Sequence, residues 1–159
     1  IEDGGADFYE AAKAYVTTAT NQNERSTILR VLASRGSKDV VSDLFSAVLN
    51  GPNSTDEVFT VVYGAMANPA AQDTAWDLIT TNFETVVERM PEIRQPKLAG
   101  LTGYFCSVRK AAEAEDFFQQ NAQLIPGYER SLAQGTEKAT LCSALRAQKA
   151  LDVNNFFQQ

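Results

Sequence analysis

The sequence predicts an all-α protein built as a stack of antiparallel helix pairs. Three observations predict it. Apolar residues recur at three- and four-residue spacing nearly throughout, the period of a helix buried along one face. Alternating β-branched runs, the mark of half-buried strands, are absent. Residues 24–50 can be laid on residues 58–84 with an offset of about 34, which places Ile28 on Val62, Leu32 on Met66 and Asp43-Leu44-Phe45 on Asp77-Leu78-Ile79. A unit of that length is one helix pair, and it buries its apolar face only by stacking on the next. The expected architecture is therefore a HEAT- or armadillo-like right-handed α-superhelix, with a plain helical bundle as the alternative. The 159 residues are read as a single helical-repeat domain, 1–159.

The elements follow in order. Phe8, Ala11, Ala12, Tyr15, Val16 and Ala19 form the first apolar stripe, and Ile28, Leu29, Val31 and Leu32 the second, closed by Gly36. Ser37 caps a third helix carrying Val40, Val41, Leu44, Phe45, Val48 and Leu49, which Gly51 ends. Ser54-Thr55-Asp56-Glu57 is a capping box, hydroxyl first and carboxylate three residues on. It opens a helix with Val58, Phe59, Val62 and Met66. Asn68-Pro69 breaks that helix and starts another, because proline is tolerated in a first turn and not in a helix interior. Trp76, Ile79, Phe83, Val86, Val87 and Met90 continue the apolar face, with a bend near Asn82.

The segment between Pro91 and Pro96 reads as irregular. Leu98, Leu101 and Phe105 mark a short helix that holds Gly100 and Gly103, so it is weak or closely packed. Residues 111–124 form an amphipathic helix with Ala114, Phe117 and Phe118 near one face and Glu113, Glu115 and Asp116 toward its start, where the macrodipole favours acids. Pro126-Gly127 ends it. A long helix follows over 128–147, and a last one carries Val153, Phe156 and Phe157. In Phe117-Phe118 and Phe156-Phe157, one ring faces the core and the other covers a neighbour.

Composition narrows the function. The net charge is −6 and the 14 basic residues do not cluster, so the chain has no electrostatic footprint for nucleic acid. No apolar run reaches the length of a membrane span, and no charged-then-apolar leader is present. The chain begins at Ile1, which suggests processing or a piece of a longer protein. The two cysteines, Cys106 and Cys142, have no metal-ligand spacing. Their apolar surroundings (TGYFCSV and ATLCSAL) favour small buried hydrophobes over a disulfide or a reactive thiol. There is no histidine, so HExxH zinc sites, Ser-His and Cys-His pairs and imidazole bases are excluded.

The remaining candidates for chemistry each have a plainer reading. Glu113, Glu115 and Asp116 could hold a metal or act as acid and base; Glu113 and Asp116 share a helix face and Glu115 points away, and without histidine or a second acidic cluster at matching spacing a solvated helix start is the favoured reading. Ser107 and Lys110 suggest a Ser-Lys pair only by proximity. No glycine pattern forms a phosphate loop. Arg89, Arg94, Lys97, Arg109 and Lys110 could line a concave surface and meet carboxylates; scattered solubilising charge is the favoured reading. From residues alone, the chain is a helical repeat or bundle without chemistry of its own.

The order of motifs resembles the C-terminal helical domain of the zinc aminopeptidases of the aminopeptidase N and puromycin-sensitive type. LASRGSKDVVSDLFSAVLNG resembles one of the family's helix pairs. VFTVVYGAMANPAAQDTAWDLITTNFETVVERMP resembles its most specific element, a helix, Asn-Pro, then a tryptophan helix ending in an Asn-aromatic step and an arginine. FCSVRKAAEAEDFFQQNAQLIPGYERSLAQGTEKATLCSALRAQKALDVNNFF resembles its closing pair. The match runs from about Leu32 to the end.

The resemblance implies that catalysis belongs to an upstream domain of the same polypeptide, which carries HExxH, a distant glutamate on zinc, a GxMEN-type motif and a tyrosine. This chain would then supply no catalytic residue, metal ligand or cofactor. It would pack on that domain and limit access of peptide substrate to a chamber. The structural positions that carry over are Asn68 and Pro69 as a helix break and Trp76 as a core anchor; Cys106 is a fourth structural residue, read from its apolar neighbours as buried. The chain is short for the family's complete helical domain, which implies an exposed apolar flank near the N-terminus. The rivals are a free-standing helical-repeat adaptor for a protein partner and an independent enzyme with a carboxylate site.

Overall fold

A computed structural model describes residues 5–157, excluding the side chains of residues 5, 6, 151 and 153–157. The described residues are all-α, with no strand among them. They fall into two compact units divided after Pro91.

The first unit holds six helices: α1 (Gly5–Thr18), α2 (Gln22–Arg35), α3 (Lys38–Asn50), α4 (Thr55–Met66), α5 (Gln72–Thr81) and α6 (Phe83–Glu88). α2 packs on α4 and α3 on α5, so the pair α2–α3 stacks on the pair α4–α5 in the order the internal repeat predicts. Leu29, Leu32, Val41, Phe45 and Val48 of the first pair and Val58, Val62, Met66 and Ile79 of the second are all buried, as is Val86 of α6. Each such side chain contributes roughly 1.5–3 kcal/mol by leaving water. Gly64 lets α4 approach α2: a Cβ there would stand 2.9 Å from the Cβ of Ala33.

The local signals behave as their chemistry dictates. The Ser37 hydroxyl accepts from the Val40 N–H and opens α3. Both arms of the Ser54–Glu57 capping box are made. The bend near Asn82 is present: its carboxamide donates to the Leu78 carbonyl at 2.8 Å, closing α5 before α6 begins. Near the N-terminus Phe8 and Tyr15 of α1 and Val31 of α2 are each at least 40% exposed.

Two details of the first unit differ from expectation. Pro69 lies in a turn, and α5 begins only at Gln72, so the proline separates the helices without entering the first turn of the second. Gly36 closes α2 through its N–H to the Leu32 carbonyl with φ −71°, outside the left-handed region. Its requirement is space, since a Cβ would meet Val40 Cγ1 at 2.4 Å and the Leu32 carbonyl at 2.5 Å.

The second unit holds a run of 3₁₀ turns over Glu92–Tyr104, α7 (Val108–Gln120), a 3₁₀ turn over Ala122–Leu124, and α8 (Glu129–Phe157). The stretch expected to be irregular before Pro96 is therefore helical in the tighter 3₁₀ form, which continues through Pro96. α8 packs on this run and on α7. The contact with the run is backbone to backbone: a Cβ on Gly135 would meet the Gly103 nitrogen at 3.1 Å and the Gly100 carbonyl at 3.2 Å. Leu98, Leu101, Phe105, Phe118, Ile125 and Ala139 form the core here. Phe118 is buried and Phe117 covers it edge-on, ring centroids 5.5 Å apart.

α7 starts earlier and ends earlier than the apolar pattern suggests. Ser107 caps it, and Asn121 closes it by donating to the Phe117 carbonyl at 2.9 Å. The left-handed Gly127, φ +83°, makes the turn into α8. The two helices expected over 128–157 are one, because neither glycine nor proline interrupts the hydrogen-bond ladder beyond Gly135. The Phe156-Phe157 side chains lie outside the described residues.

Candidate functional site

The acidic candidates are a solvated helix face. Glu113 is exposed and paired with Arg109 one helical turn back, Asp116 is exposed, and Glu115 accepts from Gln119 at 3.3 Å. Ser107 and Lys110 are neighbours because the Ser107 hydroxyl accepts the Lys110 backbone N–H at 3.4 Å, as a helix cap does. No group of three or more Cys, Asp or Glu side chains placed to hold a metal occurs among the described residues.

The basic candidates do not act as a set. Arg89 turns inward and caps α3. One of its terminal nitrogens lies 2.9, 3.1 and 2.8 Å from the carbonyl oxygens of Val48, Gly51 and Asn53. Arg109 is taken by Glu113.

Asn68 is buried, and its carboxamide donates to the carbonyls of Ala33 and Gly36 at 3.1 and 2.8 Å, while its oxygen accepts from the Ala70 N–H at 3.1 Å. It therefore satisfies the carboxyl end of α2 from the turn between α4 and α5. Pro69 beside it is exposed, and Trp76 is half-buried on α5.

Cys106 requires a correction. It is joined to Cys142 in a disulfide, S–S 2.00 Å, across 36 residues of sequence. Neither is a small buried hydrophobe: Cys106 is half-buried and Cys142 exposed. The apolar company of Cys142 misled because Leu141 and Leu145 are themselves exposed on α8.

Sequence reasoning missed two further features. Arg25 donates through Nε to Glu57 at 2.6 Å and through a terminal nitrogen to the Val16 carbonyl at 2.6 Å, tying α2 to both α1 and α4. Glu57 is nearly inaccessible, and its other oxygen accepts the Ser54 N–H at 2.8 Å. Burial pushes its carboxyl up, but hydrogen bonds from Arg25 and Ser54 and the Arg25 charge outweigh this and hold it below the usual carboxylate value. The capping box flagged Glu57, but nothing local pointed to Arg25.

The second feature is a cavity of about 510 Å³ bounded by α1, α2, α3 and the turn at Gly51. Val16, Leu29, Leu44 and Val48 give it an apolar lining. On its rim Tyr9 donates to Asp43 at 3.3 Å and the Lys13 ammonium lies 3.7 Å from the same oxygen. Burial, then the Asp43 charge and hydrogen bond, then Glu10, push the Tyr9 phenol up to about 12. At neutral pH it is a neutral hydrogen-bond donor. The volume suits a small ligand with an apolar body and a polar end.

The structure thus defines a fold of helix pairs whose buried and half-buried polar side chains tie helices together. Residues 1–141 match the ERAP1-like C-terminal domain. The chain belongs to that family. Similar proteins include Aminopeptidase M1-C and Aminopeptidase M1-D of Oryza sativa subsp. japonica, 24% and 23% identical over 135 residues. Those residues are 84% of this chain and 15% of each relative, so the chain spans a small part of the length of the proteins it matches.

Proposed function

We propose that the chain is the non-catalytic C-terminal domain of a zinc-dependent aminopeptidase. It packs on an upstream catalytic domain of the same polypeptide and shapes the access of peptides to the active-site chamber. The family match over residues 1–141 carries this reading, and the names of the two rice relatives agree with it. The donor set of this chain does not fit a zinc centre, because it has no histidine and its cysteines are joined in the disulfide. Zinc and the hydrolysis of the first peptide bond then belong to the rest of the polypeptide. In this reading residues 1–159 act as one helical-repeat domain.

The test is to purify the intact polypeptide and this chain separately and to measure bound zinc and release of N-terminal residues. Zinc and activity in the intact protein, and neither in the chain alone, are expected. Glu113→Ala and Asp116→Ala in the intact protein leave turnover unchanged. Turnover by the isolated chain that either substitution abolishes contradicts the proposal.

A further inference from the structure

Beyond Ala139, the last fully buried residue of α8 among those described, the helix has little packing to hold it: Ala144 through Ala150 are all exposed. The Cys106–Cys142 disulfide lies at this point and anchors α8 to the segment that joins the 3₁₀ run to α7. The two cysteines differ in exposure. Cys142 is exposed on the outer part of α8, whereas Cys106 is half-buried next to the buried Phe105.

From this geometry we infer that Cys106–Cys142 is a thiol-reactive clamp, opened by attack of an external thiolate on the sulfur of Cys142 and holding the distal half of α8 while closed. Exchange requires approach to one sulfur along the S–S axis, so access decides which is attacked. A thiolate such as that of glutathione bonds to Cys142 Sγ, the S–S bond breaks, and Cys106 leaves as the thiolate and takes up a proton. A second glutathione thiolate attacks the glutathione sulfur of the mixed disulfide and releases Cys142 as a thiolate, which is protonated in turn. The clamp gains two electrons, and two glutathiones become one oxidised disulfide.

The experiment uses the intact native polypeptide. It is alkylated at lysis to record the state of both cysteines, and a second sample is treated with reduced glutathione without denaturant, quenched in acid and mapped by peptide mass. The expected results are a disulfide at lysis, a glutathione adduct on Cys142, and, after full reduction, amide exchange over 141–150 faster by roughly tenfold with residues 24–66 unchanged. The variant C106S/C142S serves as the open reference, with fast exchange over 141–150 that glutathione does not alter. Free thiols at lysis, an adduct on Cys106, reduction only after the domain unfolds, or unchanged exchange over 141–150 in reduced wild-type protein each overturns the inference.

Discussion

The carboxamide nitrogen of Asn68 lies 2.8 Å from the carbonyl oxygen of Gly36, so the turn that ends α4 closes the turn that ends α2. The same logic recurs twice. Arg25 of α2 holds Glu57 at the start of α4, and Arg89 after α6 holds Gly51 at the end of α3. At each level a polar side chain satisfies backbone or charge that stacking has taken from water, which is why helix pairs with so few identical residues keep their register.

Asn68→Ala leaves two carbonyls with no donor in a buried place. The expected cost is about 2–3 kcal/mol, measured as a shift in the urea midpoint with the slope unchanged. Asn68→Asp should cost more, since a carboxylate would face those same oxygens. A loss below about 0.5 kcal/mol would show that the contact is incidental.

Arg25→Ala strands the Glu57 carboxylate and should cost about 3 kcal/mol near neutral pH. The sign of the pH dependence follows from the lowered Glu57 value. Its contribution is fully present above the ordinary carboxylate range and is lost as pH falls from that range through the lower folded value. Wild-type protein should therefore lose more stability over that acid window than Glu57→Gln. Coincident acid titrations of the two, followed by circular dichroism, would rule out the pair as a pH-linked tie.

Arg89→Lys keeps the charge but replaces a flat guanidinium with a single ammonium of shorter reach. It should destabilise the first unit by about 1.5–3 kcal/mol. Amide exchange at the carboxyl end of α3 should rise with it. Equal exchange in variant and wild type would mean that the three carbonyls do not depend on Arg89.

Gly135→Ala sets two effects against each other. Alanine gains up to about 1 kcal/mol in helix propensity. Its Cβ, however, meets backbone atoms of the 3₁₀ run at 3.1 and 3.2 Å, and backbone cannot rotate away. Overpacking costs about 1–3 kcal/mol, so the variant should be the less stable one. A raised melting temperature would contradict the close approach of α8 to Gly103.

Much of the fold was legible because its signals are local. The Ser37 and Ser54 caps, the stop at Gly36 and the bend at Asn82 each act within a few residues, and the helical period names the buried faces. The 3₁₀ run was obscured by Pro96, and the continuity of α8 by a gap in its apolar pattern beyond Ala147 that does not break a helix. What stayed hidden depends on pairing across the chain. The Arg25–Glu57 tie, the capping of α3 by Arg89 and the Cys106–Cys142 bond join residues 32 or more apart in sequence. An exposed cysteine among exposed leucines carries no local mark of its partner. The candidate cavity has the same origin, since its walls come from three helices.

The most direct test of the central claim is an immunoblot of total protein from the source with antiserum raised against this domain. A single band several times heavier than a 159-residue chain, which on purification brings zinc and aminopeptidase activity with it, is the predicted result. A band at the size of this chain alone would contradict the account and leave a free-standing helical-repeat adaptor in its place.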